Sequence, residues 1–344
     1  MKTTKRILVA GIAAHFATAA LAQDDPRVLT IASWAGPNHV VNADMWPAFV
    51  DRIEEVSDGA LTAEIKLNLV PPPAMADFVL DGGADITFIF HGYNAGRFVV
   101  PQLTELPGVE GNAEAASIAY WRVWKEHLEA AGEQDEFKTI AMFQHGPAQL
   151  HLTEEIESLA EVDGMKIRAP GGVGSMAIDG LGGVGIQVPA TKVYETLSAG
   201  AADAVSMNVD GRIGYNLDEV APVMFEVPGG LYRGSFAAIM SKDTWESFDP
   251  ELQAALDKKI FGEPMSALFG RLWDGGDVAA LENTRSLGNP IIEASQADID
   301  HFAPIIENIK ATVMQRVSER GVDAVAAKAM FDEEMAKAMS EIGS

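Results

Sequence analysis

The run ADITFIFHGYN, residues 84–94, constrains this chain more than any other stretch. From Ile86 to Phe90 it shows no polar–apolar alternation, so it reads as a strand covered on both faces. Such a strand needs helices on each side, and the flanking sequence supplies them. RVLTIASW reads as an earlier strand. MWPAFVDRIEEVSDG places Met45, Phe49, Ile53 and Val56 on one helical face, with Gly59 as a stop. ALTAEIKLNL alternates as a second strand, and PPP opens a loop into a short helix. A helix from about Ala113 to Ala131 precedes the strand FKTIAMFQHG. This order predicts open α/β sheets with right-handed crossovers.

The alternation continues past residue 148. GMKIRAP reads as a strand, SMAIDGLG and TKVYETLSAG as helices, and ADAVSMN as a strand. VDGRIGYNLDEV follows as a helix, then PVMFEV and FAAIMS as strands. From Lys242 onward the pattern is mostly helical, with bends expected at Pro264 and Gly275-Gly276 and two last helices near 296–319 and 322–342. A chain of 344 residues exceeds one comfortable core and suits two lobes. No low-complexity linker separates them, so several chain crossings should form a hinge. The expected division is residues 23–147 with about 236–273 as lobe I, and 148–235 with about 274–344 as lobe II.

The N-terminus has its own signature. Lys2, Lys5 and Arg6 precede an apolar stretch from Ile7 to Ala20, and Ala20-Leu21-Ala22 is a small-residue cleavage site. Residues 1–22 read as a secretory signal, too short in its apolar part for a membrane span. The mature protein is expected to be periplasmic and not membrane-spanning. There is no cysteine, so a conventional core must stabilise the fold. Asp and Glu number 50 against 25 Lys and Arg, which argues against nucleic acid as a partner.

Residues 165–189, MKIRAPGGVGSMAIDGLGGVGIQVP, carry the most chemistry. Gly180, Gly182 and Gly185 match a dinucleotide-binding spacing, but the preceding segment reads as helix and the following one runs into Pro189. Gly182 and Gly183 read better as a helix stop and tight turn. Arg168 differs. It falls near the C-terminal end of a strand, where open α/β sheets form their crevice, and its guanidinium fork matches a carboxylate. A structural ion pair with one of the many acids is the competing reading. His39, His91 and His145 fall near strand ends, as do Trp34, Tyr93 and Tyr232-Arg233; clustered on one rim they would form an aromatic pocket around a cation. No H-E-x-x-H and no G-x-S-x-G occurs, so neither a zinc site nor a serine nucleophile is expected.

The whole mature chain resembles the periplasmic solute-binding proteins of TRAP transporters, the DctP family. LAEVDGMKIRAPGG followed by GGVGIQVPATKVYETLSAGAADAV is similar to the family's paired motifs, with Tyr194, Leu197, Gly200 and Asp203 kept and Lys192 in place of an acid. HGYNAGRF with LTELPGV, and GPAQLHL, resemble further family segments. The resemblance implies a two-lobed clamshell, bridged by a long helix and finished by C-terminal helices, that closes over a small organic acid and works with a membrane permease. It puts Arg168 where the family's arginine pairs with the ligand carboxylate, and it puts Met207 or Asn208 at the next contact. Sugar-acid binders carry a second arginine where this chain has Ala148-Gln149, so Gln149 is expected to serve as a neutral donor. The Trp-Glu pair of metal-assisted relatives is absent, so neither metal nor cofactor is expected. Trp34, His91, Tyr93, Tyr232 and Phe236 complete the expected site. They suit an aromatic or branched monocarboxylate, or a 2-oxo or 2-hydroxy acid. An exported hydrolase or lyase using His91 or His145 as base is the alternative, as is a sensor-type binding protein.

Overall fold

The computed structural model describes residues 26–343, so the signal expected over residues 1–22 lies outside the described residues. β1 (Arg27–Ser33), β2 (Leu61–Leu67), β3 (Ile86–Phe90) and β4 (Phe137–Gln144) share one sheet. β5 (Gln149–Leu152), β6 (Lys166–Ala169), β7 (Val184–Gln187), β8 (Ala204–Met207) and β9 (Val223–Glu226) share a second. β10 (Ser235–Ser241) returns to the first sheet and β11 (Ile291–Glu293) to the second. The orders are β2-β1-β3-β10-β4 and β11-β9-β5-β8-β6-β7. β3 is buried along its whole length, as its nearly continuous apolar run predicts, and its one polar side chain, Thr87, donates to the Ala32 carbonyl at 2.8 Å.

Both sheets are mixed. β1 is parallel to β2 and β3, and β6 is parallel to β7 and β8. β5 and β10 run antiparallel to their neighbours, and each is the first strand after the chain has crossed from the other sheet. A third crossing is the helix Glu263–Ser286. Near its start, Phe269 and Trp273 pack on Phe143 of β4 at 5.1 and 5.9 Å between ring centres. Near its end, the Thr284 hydroxyl lies 2.7 Å from Nε of Arg212, between β8 and β9.

That helix is uninterrupted, which corrects the bends expected in it. Pro264 sits in the first turn, where a missing N–H breaks no intrahelical bond. Gly276 serves close approach instead: a Cβ there would lie 3.3 Å from the Asp210 side chain and 3.5 Å from Val40. A second correction concerns residues 209–220. They form two short helices, Gly211–Gly214 and Leu217–Val220, because Asn216 between them is left-handed at φ 55°. The turn after the helix Gly172–Gly180 has Gly182 at φ 82°, as a helix stop.

Two glycines give a test with opposite signs. Gly229, at φ 69° in the crossing from β9 to β10, sits so close to Gly108 that a Cβ would overlap its backbone. Gly275 lies mid-helix with open space around it. Gly229→Ala should lower the thermal midpoint by several degrees, a loss of roughly 1–3 kcal/mol. Gly275→Ala should hold or raise it, gaining roughly 0.5–1 kcal/mol. Calorimetric melts of the two variants check both signs.

Candidate functional site

Arg168 is the penultimate residue of β6, a strand flanked by β7 and β8. Its neighbour Lys166 is exposed, but Arg168 is 1% exposed, turned in between the sheets. Nε donates to the Val188 carbonyl at 2.9 Å, and Nη1 faces the Ser206 carbonyl at 3.4 Å. Nη2 is buried and has no hydrogen-bond partner among the described residues. Among the described residues no carboxylate forms an ion pair with this guanidinium. The competing reading, a structural ion pair, thus finds no partner among the described residues. A buried, directional cation with a free donor edge is suited to an incoming anion.

The cavity that Arg168 lines is narrow in this closed arrangement, with open room of about 30 Å³, enough for about one or two waters, so a ligand needs the halves to part. Its walls come from both sheets. Trp34 follows β1, stacks on Phe88 at 4.5 Å and donates its indole N–H to the Phe88 carbonyl at 3.1 Å. Phe236 of β10 packs 5.1 Å from Phe90 and 4.9 Å from Trp273. Tyr93 meets Trp34 edge-on at 5.7 Å, and its hydroxyl accepts from the Ala190 N–H at 2.8 Å. Burial raises the Tyr93 phenol above its ordinary value, against the opposing effect of Arg168. Met207 and Asn208, at the end of β8, both face the cavity, as does Tyr232. Phe90, Trp273 and Tyr215 also line it and were missed in the sequence. Tyr215 and Trp273 sit in helical segments whose facing could not be read without the fold.

Two expected residues lie elsewhere. Gln149 makes a two-way bond with Val227, accepting from its N–H at 2.8 Å and donating to its carbonyl at 3.3 Å, so its amide is used within the second sheet. His91 is buried beside the cavity and not on its wall. Its Nε2 accepts from Gln134 at 2.9 Å and its Nδ1 donates to Ser235 Oγ at 3.0 Å. His145 does line the cavity, but both its nitrogens are committed. Nε2 accepts from the Gly234 N–H at 2.9 Å, and Nδ1 donates to the Gly146 carbonyl at 2.5 Å. Burial pushes both histidines down to about 3, so each is neutral. Neither has a nitrogen free to take a substrate proton. Among the described residues no group of His, Asp and Glu is arranged to hold a metal ion.

The cavity is closed by contacts between the two halves. Beyond Arg168 the chain turns through Gly171 and Gly172, at φ 105° and 55°, into the helix Gly172–Gly180. A Cβ on Gly171 would collide with the Gly92 carbonyl, next to β3. Glu105, on the side of the first sheet, accepts from Ser235 Oγ at 2.6 Å and from the Val173 N–H at the start of that helix. Burial pushes the Glu105 carboxyl up to about 7, and these donors only partly offset it.

A carboxyl raised in this way favours the folded state below its ordinary value near 4.5 and loses that advantage as pH rises through about 7. Glu105→Gln removes the ionisation while keeping the shape. Its stability relative to wild type should therefore improve between pH 5 and pH 8, by up to about 3 kcal/mol. Denaturant melts of both proteins at the two pH values measure this; a difference that does not change with pH contradicts the assignment.

Comparison with known proteins places this geometry. A crystal structure of a TRAP periplasmic solute-binding protein from Bordetella bronchiseptica, with bound (R)- and (S)-mandelate, is 29% identical. It superposes with a TM-score of 0.87 over 91% of this chain and 99% of that one. A marine metagenome TRAP solute-binding protein from an unidentified microbe, described as specific for aromatic acid ligands and in complex with 3-hydroxybenzoate, is 28% identical. Its TM-score is 0.84 over 91% of this chain and 98% of that one. The protein of Comamonas testosteroni named outer membrane transporter protein TsaT is 23% identical over 94% of this chain and 95% of its own length. These crystal structures are of binding proteins, not enzymes. The model of the bacterial extracellular solute-binding proteins, family 7 (DctP), matches residues 31–316, and this chain belongs to that family.

Proposed function

We propose that this protein is the periplasmic solute-binding component of a TRAP transporter. It binds an aromatic or branched monocarboxylate, a 2-oxo or 2-hydroxy acid included, and delivers it to the membrane permease. The signal sequence read over residues 1–22 exports it, and no helix among the described residues is long and apolar enough to cross a membrane. The single observation that carries the reading is the buried Arg168, whose Nη2 has no partner among the described residues and lines a cavity walled largely by aromatic rings. A ligand carboxylate meets Nη2, and its apolar body lies among Trp34, Tyr93, Met207, Tyr232 and Phe236. The Bordetella relative was crystallised with mandelate and the marine relative with 3-hydroxybenzoate, which favours the aromatic member of the class.

Physical chemistry supports the same class. Arg168 is the only lysine or arginine among the residues lining the cavity, so a second carboxylate would enter an aromatic wall without a counter-charge. A polyhydroxylated chain would leave several hydroxyls unpaired there. Ligand contacts drawn from both sheets exist together only when the halves are closed, so binding shifts the population toward closure. The region of β1–β4 and β10 would act as one lobe and that of β5–β9 as the other.

Arg168→Ala should abolish binding of benzoate and phenylacetate in calorimetry, a loss on the order of 2–5 kcal/mol, while the circular dichroism of the protein is kept. Arg168→Lys should fail nearly as badly, since an ammonium cannot reproduce the guanidinium fork. In a thermal-shift screen of wild type, these acids should stabilise and the matching amides should not. Stabilisation by succinate or galacturonate with silence from every aromatic acid would contradict the ligand class.

A further inference from the structure

Pairing Arg168 with a carboxylate does not account for every polar atom on the cavity wall. The Tyr215 hydroxyl and the Asn208 Nδ2 are also buried without a hydrogen-bond partner, and Asn208 is 7% exposed. Both residues line the same cavity as Arg168. Other polar groups nearby are already engaged. His39 Nδ1 accepts from the Val41 N–H at 3.2 Å, so its hydrogen is on Nε2, which faces Asp210 at 3.5 Å. The Trp273 indole donates to the other oxygen of Asp210 at 2.8 Å. The Tyr93 hydroxyl accepts from the Ala190 N–H and stands beside the Arg168 guanidinium. Tyr215, whose ring sits 5.3 Å from His39, is left with a phenol that can both donate and accept. It is held there by the kink at Asn216, the same left-handed residue that splits the segment into two short helices.

A buried hydroxyl and a buried amide without partners are tolerated where a ligand atom meets them. Both groups can donate, so the atom they favour is an oxygen. Arg168 meets the carboxylate with its one free nitrogen, and an oxygen elsewhere on the ligand would answer this second pair of donors. We propose that Tyr215, with Asn208 beside it, reads a hydroxyl group on the ligand, so that the cavity selects hydroxylated aromatic acids over their unsubstituted parents. This rests on the carboxylate-binding reading above and refines it. Rejection of the parent follows because its binding leaves two buried polar groups unpaired.

The hydroxyl has two possible sources, the carbon beside the carboxylate or the ring, and matched pairs separate them. Calorimetry would compare mandelate with phenylacetate, and 3- and 4-hydroxybenzoate with benzoate, on wild type and Tyr215→Phe. In wild type at least one hydroxy acid should bind tenfold or more tighter than its parent, and the winning pair locates the oxygen. Tyr215→Phe should erase that advantage while the parent acid stays within threefold of its wild-type affinity. Equal losses for hydroxy acid and parent would mean that Tyr215 only packs, and would overturn the proposal. So would parents that bind as well as hydroxy acids in wild type; if that binding still vanishes in Arg168→Ala, the carboxylate reading stands alone. Absence of binding by every acid overturns both.

Discussion

The chemistry of the cavity depends on a guanidinium kept dry at the end of a strand. Taking a charge out of water costs several kcal/mol even after relaxation, and Arg168 recovers part of that from the Val188 and Ser206 carbonyls. The remaining nitrogen is presented to the cavity. In a chain with a net charge of −25, no acid among the described residues pairs with this one cation. It is a local positive charge inside a negative protein.

The rest of the molecule can be understood as what keeps that arrangement in place. Short crossings into β5 and β10, together with the long helix Glu263–Ser286, bring the strand ends of the two sheets face to face. The glycine turn that follows Arg168 packs backbone against Gly92, and Glu105 meets the helix start beyond it. The same few residues therefore tie the turn after Arg168 to the first sheet. Buried histidines at this junction serve structure: His91 and Ser235 form a chain that ends on Glu105.

Much of this was legible in the sequence. The nearly continuous apolar run of β3, the alternation around it and the position of Arg168 near a strand end all follow from periodicity and turn residues. Trp34, Tyr93 and Tyr232 follow from their places at strand termini, and each lines the cavity. β5, β7 and β11 were not legible: β5 carries Gln149 and His151 in a buried strand, β7 is a largely exposed edge strand containing Gly185, and β11 has three residues. Gln149 was placed by the family resemblance and His91 by its strand end, but hydrogen bonds to Val227, Ser235 and Gln134 decide where their side chains point. Tyr215 carried no signal, since its facing depends on a left-handed Asn216 that propensity alone does not demand.

The account turns on where a carboxylate sits, and a crystal structure grown with benzoate tests that most directly. The carboxylate should lie within hydrogen-bond distance of Arg168 Nη2, with the ring between Trp34 and Phe236 and the halves closed as described. Benzoate bound with its carboxylate away from Arg168, or an Arg168 whose Nη2 turns to a protein acid when the ligand enters, would contradict it.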